Sequence, residues 1–471
     1  MERLKRRSFL GAGIALAGAL PFAGAAPNRP NVLFIITDQQ TAGALGCAGN
    51  PHVKTPNMDA LAARGVRFTK SYSTNPVCCP ARASFFTSRM PHELGILINA
   101  NADLSKKDVP TMGELFQQAG YETAYAGKWH LQMPYPAYKQ KPIHGFDVLP
   151  LAGKDPGTVD QEKEGKGLTA DPNAADAAIH YLQKKHDKPF LLVASLLNPH
   201  DICEYGGDDC EALKALLPKD QNLLPPARPN MKDVDMLPPG LQKRVEPRSE
   251  LEWRKYLCVY YRLVETVDAE IGRILAALEK SGRAKDTVVL YTSDHGEMMG
   301  SHGMRVKSKL YEESVAVPLV VAPPGVKGRV NSQHLVNTLD VMPTLLDYAG
   351  IAAPDSLEGR SLRPLVEQRP VEWRDFVVSE ANTYFQARMV RTDRYKYILY
   401  SEDTPNEQFF DMVQDPGELK NQVSNPELQT EVGRHRALLK TWMAETNDVF
   451  TETPKKSGRP KGKDKGEKAG S

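Results

Sequence analysis

Short, nearly continuous apolar runs recur along the chain at NVLFIITD (31–38), FLLVASLLNPH (190–200), TVVLYTSDHG (287–296) and PLVVAPPG (318–325). Runs of this length with no polar face predict strands buried on both sides of a sheet. Between them the spacing changes to that of helices. TPNMDALAARG offers Thr55 as a cap, Pro56 for the first turn and Gly65 as a stop. Farther on, Leu257, Tyr260, Val264, Val267, Ile271, Ile274 and Leu278 fall at steps of three and four, which predicts an amphipathic helix over 257–278. Strands alternating with helices predict an α/β fold on a large, mostly parallel mixed sheet flanked by helices.

Composition adds bounds to that picture. The 471 residues are enough for one large domain and a smaller one. Six cysteines in this length do not make a disulfide scaffold. The net charge of +2 hides a mildly acidic body between two basic ends, MERLKRR and PKKSGRPKGKDKGEKAGS (454–471). An acidic body argues against a nucleic-acid partner. Residues 1–26 have a charged start, a Gly/Ala-rich apolar stretch and a small-residue end, which predicts an export signal. The run Arg6-Arg7-Ser8-Phe9-Leu10 points to the twin-arginine export machinery, with an ordinary secretion signal as the alternative. Either places the mature protein in the periplasm or outside the cell. The tail 451–471 has little to bury and reads as a basic disordered segment.

Three of the predicted strands end in polar residues: Asp38-Gln39, Asn198-Pro199-His200 and Asp294-His295. An Asp after a strand is commonly only a helix cap. In open α/β sheets, however, ligands bind beyond the carboxyl ends of the strands, so three such endings predict one shared site. Carboxylates, an amide oxygen and an imidazole suit calcium or magnesium better than structural zinc. Such a cation would hold and polarise an oxyanion.

The stretch PVCCPARASFFTSR (76–89) sets two adjacent cysteines before a helix with Pro80 in its first turn. GVRFTKSYS ahead of it reads as a strand. Cys78 then lies at a helix N-terminus, where the dipole attracts anions, and Arg82 lies one turn on, on the same side. A plain thiolate nucleophile is one reading; it needs a histidine base and accounts for neither the proline nor the metal shell.

At this point the chain resembles the type I sulfatases, the formylglycine-dependent, arylsulfatase-like branch of the alkaline phosphatase superfamily. The signature C-x-P-x-R is matched by Cys78, Pro80 and Arg82, and GYETAYAGKWH (120–130) matches a second motif. TDQQ, SDHGEMMGSHG and KSKLYEESVAVPLVV follow the usual blocks, and RTDRYKYILY and FFDMVQDPGELKNQV resemble the small C-terminal α+β subdomain with its antiparallel sheet. The resemblance covers roughly residues 30–445 and implies a catalytic domain over 27–370 and a subdomain over 371–450. It also implies oxidation of one cysteine to formylglycine by a maturing enzyme. Register selects Cys78, because Cys79 has Ala81 and Ala83 where the pattern needs proline and arginine.

By the same resemblance, Asp38, Asp294 and His295 bind calcium with the Cys78 gem-diol, joined by Gln39, with magnesium or manganese as substitutes. Arg82 holds the diol, Lys128 and Lys307 neutralise sulfate oxygens, His200 protonates the leaving oxygen, and His130 polarises the second hydroxyl. Lys309 competes with Lys307; the family lysine lies four residues before a tyrosine, as Lys307 does before Tyr311. Ile202 and Ala316 stand where many relatives have proline and arginine. Cys203 and Cys210 flank EYGGDD, and a disulfide and free thiols both remain open. The expected activity is sulfate ester hydrolysis on a sulfated small molecule or carbohydrate, with specificity carried by the long loops 131–175 and 201–250. The alternatives are a phosphonate monoester or phosphodiester hydrolase with the same nucleophile, and a non-catalytic binder of sulfated glycans.

Overall fold

The computed structural model describes residues 29–100, 102–131, 143–150, 167–206, 210–401 and 406–450. The predicted export signal, the basic tail and parts of both long loops lie outside them. The central sheet has eight strands, in the order Asp147–Val148, Glu122–Gly127, Phe190–Pro199, Asn31–Asp38, Thr287–Ser293, Leu319–Ala322, Val66–Phe68 and Arg329–Asn331. Leu319–Ala322 runs antiparallel to both neighbours, and every other pairing is parallel. The apolar runs are interior strands covered on both faces.

Alternate residues of the central strand feed two cores. Val32, Phe34 and Ile36 meet Phe85 and Phe86 of the helix Cys78–Thr87 on one side. Leu33 and Ile35 meet Val267, Ile271, Ile274 and Leu278 of the helix Glu250–Lys280 on the other. That helix is longer than its apolar stripe predicts, because Ser249 and Glu252 form a capping box about two turns earlier. Its added turns carry Trp253 and Tyr256, both buried. GVRFTKSYS is two short strands rather than one: Val66–Phe68 joins the main sheet, and Ser71–Tyr72 pairs with Val336–Asn337.

Near the C-terminus, Phe376–Ala381, Ala387–Thr392, Tyr395–Tyr400 and Glu407–Asp411 form an antiparallel sheet in chain order. Val432 and Leu439 of the helix Gln429–Glu445 cover one face of it. The other face packs Met389, Ile398 and Phe410 against Met304, Leu310 and Tyr311. Buried Lys396 spans this join, with Nζ 2.7 Å from Glu312, 2.8 Å from Glu418 and 3.3 Å from the Leu310 carbonyl. The segment leading out of Lys307 is thereby tied to the C-terminal sheet.

A second tie is sensitive to pH. His92 Nδ1 faces Glu380 of the C-terminal sheet, and Nε2 faces the Thr446 carbonyl. Burial opposes the charged imidazole, but Glu380 and Asp448 prevail and raise its pKa from 6.5 to about 9. A raised folded-state pKa adds stability that is complete below the unfolded value and is lost as pH climbs through the folded one. The melting temperature of wild type should therefore exceed that of His92→Gln at pH 6, with the gap closing between pH 7 and 10. A gap that widens over that interval would refute the assignment.

Candidate active site

Register brings the three strand endings together. Asp38 pairs with Pro199 on one side of the central strand, and Thr37 pairs with Ser293 on the other. His200 and Asp294 therefore leave the sheet flanking Asp38. The helix Cys78–Thr87 starts at the same place, with Val77 as its N-cap. Asp38, Cys78, Asp294 and His295 are fully buried, and their ligand atoms lie within 4.8 Å of one another. Backbone conformation is strained around this point. Positive φ occurs at Gln39 (69°), His130 (62°), Val306 (55°) and Ser308 (74°), none of them glycine.

His295 shows what the cluster can hold. Its Nδ1 lies 3.0 Å from the Gly296 carbonyl, which can only accept, so Nδ1 carries the proton. The Nε2 lone pair then faces Cys78 Sγ at 3.2 Å, Asp294 at 3.7 Å and Asp38 at 3.9 Å. Two carboxylates and an oriented imidazole nitrogen in a buried space fit a hard divalent cation.

The cations of the site come from separate segments. Lys128, at the end of the strand Glu122–Gly127, sets Nζ 2.8 Å from Asp38 and 3.9 Å from Cys78 Sγ. Lys307 Nζ lies 3.0 Å from Cys78 Sγ, whereas Lys309 Nζ turns away to the Arg305 carbonyl at 2.9 Å. The two candidate lysines are thus separated by geometry. His130 and His200 both lie beside the Cys78 side chain, near enough to act on its charge. His130 Nδ1 is buried without a partner among the described residues.

These charges act on one another strongly. Burial would raise the Cys78 thiol, but Lys128, Lys307 and His295 outweigh it and hold it well below the ordinary thiol value. Burial and Cys78 likewise oppose charge on Asp38, yet Lys128, His200 and Arg82 hold it far below the carboxylate range. Asp294 is raised, by burial and then by Asp38 beside it. His200 is pushed down to about 4 by burial, with Lys307 and Lys128 adding to the effect.

Arg82 has a different task from holding a diol. Its Nε donates to Asp294 and one terminal nitrogen to Asp38, both at 2.9 Å. The other terminal nitrogen donates to the Lys128 carbonyl at 3.0 Å and to Ser195 Oγ at 2.8 Å. With no exposed surface, it braces both carboxylates and the Lys128 turn. Gln39 is also placed differently from the other donors. Its amide oxygen accepts from Lys307 at 2.8 Å and its Nε2 donates to Glu297 at 2.5 Å, so ligation by Gln39 requires its amide to turn from Lys307.

The sequence reading did not identify Ser195 or Glu297. Ser195 interrupts an apolar strand, and Glu297 lies three residues after Asp294; those are the signals that pointed to them. Glu297 also accepts from Tyr256 Oη at 2.9 Å and from the Val306 N–H at 2.6 Å, which joins the long helix to the Lys307 segment. Cys203 and Cys210 are free thiols: Cys203 Sγ contacts the Gln39 amide at 3.2 Å, and Cys210 packs in a separate cluster with Trp253 and Tyr256.

Comparison with known proteins agrees with this arrangement. The sulfatase family model matches residues 30–351, and the model for the N-sulphoglucosamine sulphohydrolase C-terminal region matches residues 300–445. A Delta 4,5-hexuronate-2-O-sulfatase of Bacteroides thetaiotaomicron is 31% identical, covering 93% of each chain. A solved structure described as bound to its substrate, D-glucosamine-2-N,6-O-disulfate, superposes with a TM-score of 0.74 at 26% identity, covering 90% of this chain and 99% of the other. The phosphonate monoester hydrolase of Agrobacterium radiobacter, 23% identical, has the same fold with a TM-score of 0.72 over 89% of this chain and 96% of its own.

Proposed function

The chain belongs to the sulfatase family, a family of sulfuric ester hydrolases, and from that premise we propose that it removes sulfate from a sulfated carbohydrate, using formylglycine made from Cys78 and a bound calcium ion. One observation carries the reading: Lys307, Lys128, His200 and His130 all converge on Cys78 beside the Asp38, Asp294 and His295 cluster. The Cys78 sulfur stands for the oxygen of the converted residue. Hydrated formylglycine would supply a hydroxyl nucleophile and a second hydroxyl whose proton loss lets sulfate depart. Asp38, Asp294 and His295 would hold the cation, which would withdraw charge from that nucleophile and from sulfate.

This chain's own groups do the rest. Lys307 and Lys128 face the sulfate oxygens as point charges. His200 is the group for the departing alkoxide: burial, with Lys307 and Lys128, holds it neutral until the bound sulfate's negative charge offsets the lysines and lets it take up the proton it then donates. His130 takes the proton of the second hydroxyl. Arg82 orients both carboxylates and favours their charged forms. Cys78 and Arg82 have no exposed surface, so a maturing enzyme would have to act before the chain folds. Export through the twin-arginine machinery, which carries folded cargo, would follow that step.

Mass spectrometry of the peptide 71–82 tests the reading, together with sulfate release from sulfated sugars. An aldehyde at Cys78 and sulfate release are the expected outcome. An unmodified, inactive cysteine in protein matured by its own host would leave only the glycan-binder alternative.

A further inference from the structure

Lys309 is the one lysine from the sequence motif that the reaction does not use, and its surroundings are unusual. It is 2% exposed, and its Nζ donates only to the Arg305 carbonyl. It also lies 5.5 Å from the ring centroid of Tyr384, a residue of the C-terminal sheet region that is 39% exposed. The guanidinium of Arg244, from the loop region before the long helix, lies 4.1 Å from the same centroid. Neither cation forms an ion pair among the described residues. The nearby carboxylates are already engaged: Glu246 is shared by Arg248 at 2.7 Å and Arg305 at 2.6 Å, and Glu297 is held by Gln39, Tyr256 and the Val306 N–H.

Three distant segments thus bring two unneutralised cations to one partly exposed aromatic ring. Cation–π contact compensates for part of their desolvation but adds nothing against their mutual repulsion. Burial pushes Lys309 down to about 8: Glu297 and Glu246 favour its charge, but they do not offset the burial, to which Arg244 and Arg305 add. The position bears on the reaction as well. Lys307 and Lys309 are two residues apart, so their Cα atoms are separated by at most about 7 Å. The chain thus passes from the reaction site to this cluster within two residues, with Lys307 directed to Cys78 and Lys309 to the opposite side.

We infer that exposed Arg244 and the Tyr384 ring, with the buried charge of Lys309 behind them, form a second anion subsite, which takes a carboxylate or a further sulfate of the sugar substrate. Arg244 supplies the planar donor pair that both groups accept. Tyr384 gives apolar surface to the sugar ring. This assignment rests on the carbohydrate sulfatase reading.

The test measures kcat and KM for four substrates: an aryl sulfate, a neutral hexose monosulfate, a sulfated uronate and a disulfated hexosamine. Wild type should prefer at least one anion-bearing sugar over the neutral one by about tenfold or more in kcat/KM. The uronate and disulfate arms identify which anion the subsite takes. Arg244 is exposed, so Arg244→Ala should fold, and it should bring that preference close to one, chiefly through KM. A wild type with no preference, or an Arg244→Ala variant that keeps it in full, overturns the subsite while leaving the sulfatase reading in place. A wild type that releases sulfate from none of the four, aryl sulfate included, overturns the functional reading and the subsite with it.

Discussion

Cys78→Ala should abolish sulfate release while Cys79→Ala keeps measurable turnover, although the two residues are adjacent and both fully buried. The helix Cys78–Thr87 separates them by direction. Cys78 Sγ lies 3.0 Å from Lys307 Nζ and 3.2 Å from His295 Nε2, inside the reactive cluster. Cys79 Sγ lies 2.8 Å from the His130 carbonyl and packs in the core with Phe85, Phe86 and Trp129. Replacing Cys79 removes a small buried group and one hydrogen bond, a loss of about 1 to 2 kcal/mol of stability, with His130 still held by the chain. Replacing Cys78 removes the atom on which, among the described residues, both lysines and both histidines converge. Sulfate release and thermal melts of the two variants, matured alongside wild type, check this. Equal loss of activity in two folded variants would overturn the assignment of the nucleophile to Cys78.

The site was legible where one strand end leads directly into chemistry. Asp38, His200 and Asp294 each follow an apolar run, and parallel register then aligns those ends without further information. The order of strands was less accessible, because the antiparallel placement of Leu319–Ala322 depends on its neighbours rather than on its own pattern. Lys307 and Lys309 were ambiguous for a related reason. They lie in a segment whose positive φ values at Val306 and Ser308 turn side chains out of any regular period, so only the fold tells which lysine reaches Cys78. Arg82 illustrates a third limit. Its spacing from Cys78 predicted the correct side of the helix, but its partners Asp38, Asp294 and Ser195 come from three different strands or strand ends. A local pattern can place such a residue and still leave its task open.

Wild type should hydrolyse a sulfate monoester with a higher kcat/KM than a phosphodiester bearing the same leaving group, and Lys307→Ala should narrow that gap. A sulfate monoester presents three terminal oxygens, and here the cluster of Asp38, Asp294 and His295, Lys128 and Lys307 surround the space they would fill. A phosphodiester has two terminal oxygens and an additional substituent, which needs open room where Lys307 Nζ now sits against Cys78 Sγ and the Gln39 amide. Lys307 is partly buried, so its charge is screened less than one in open solvent and is aimed at one place. Loss of such a preorganised charge costs on the order of 3 kcal/mol, roughly a hundredfold in rate. That cost should fall on the monoester, because the diester has no third oxygen for Lys307 to meet. A phosphonate monoester hydrolase shares the fold, so the fold alone does not choose between the two esters and the measurement has to. Both substrates measured on both variants give the answer: a wild type that prefers the diester assigns the reaction to the phosphorus ester, and an unchanged gap in Lys307→Ala takes the discrimination away from this lysine.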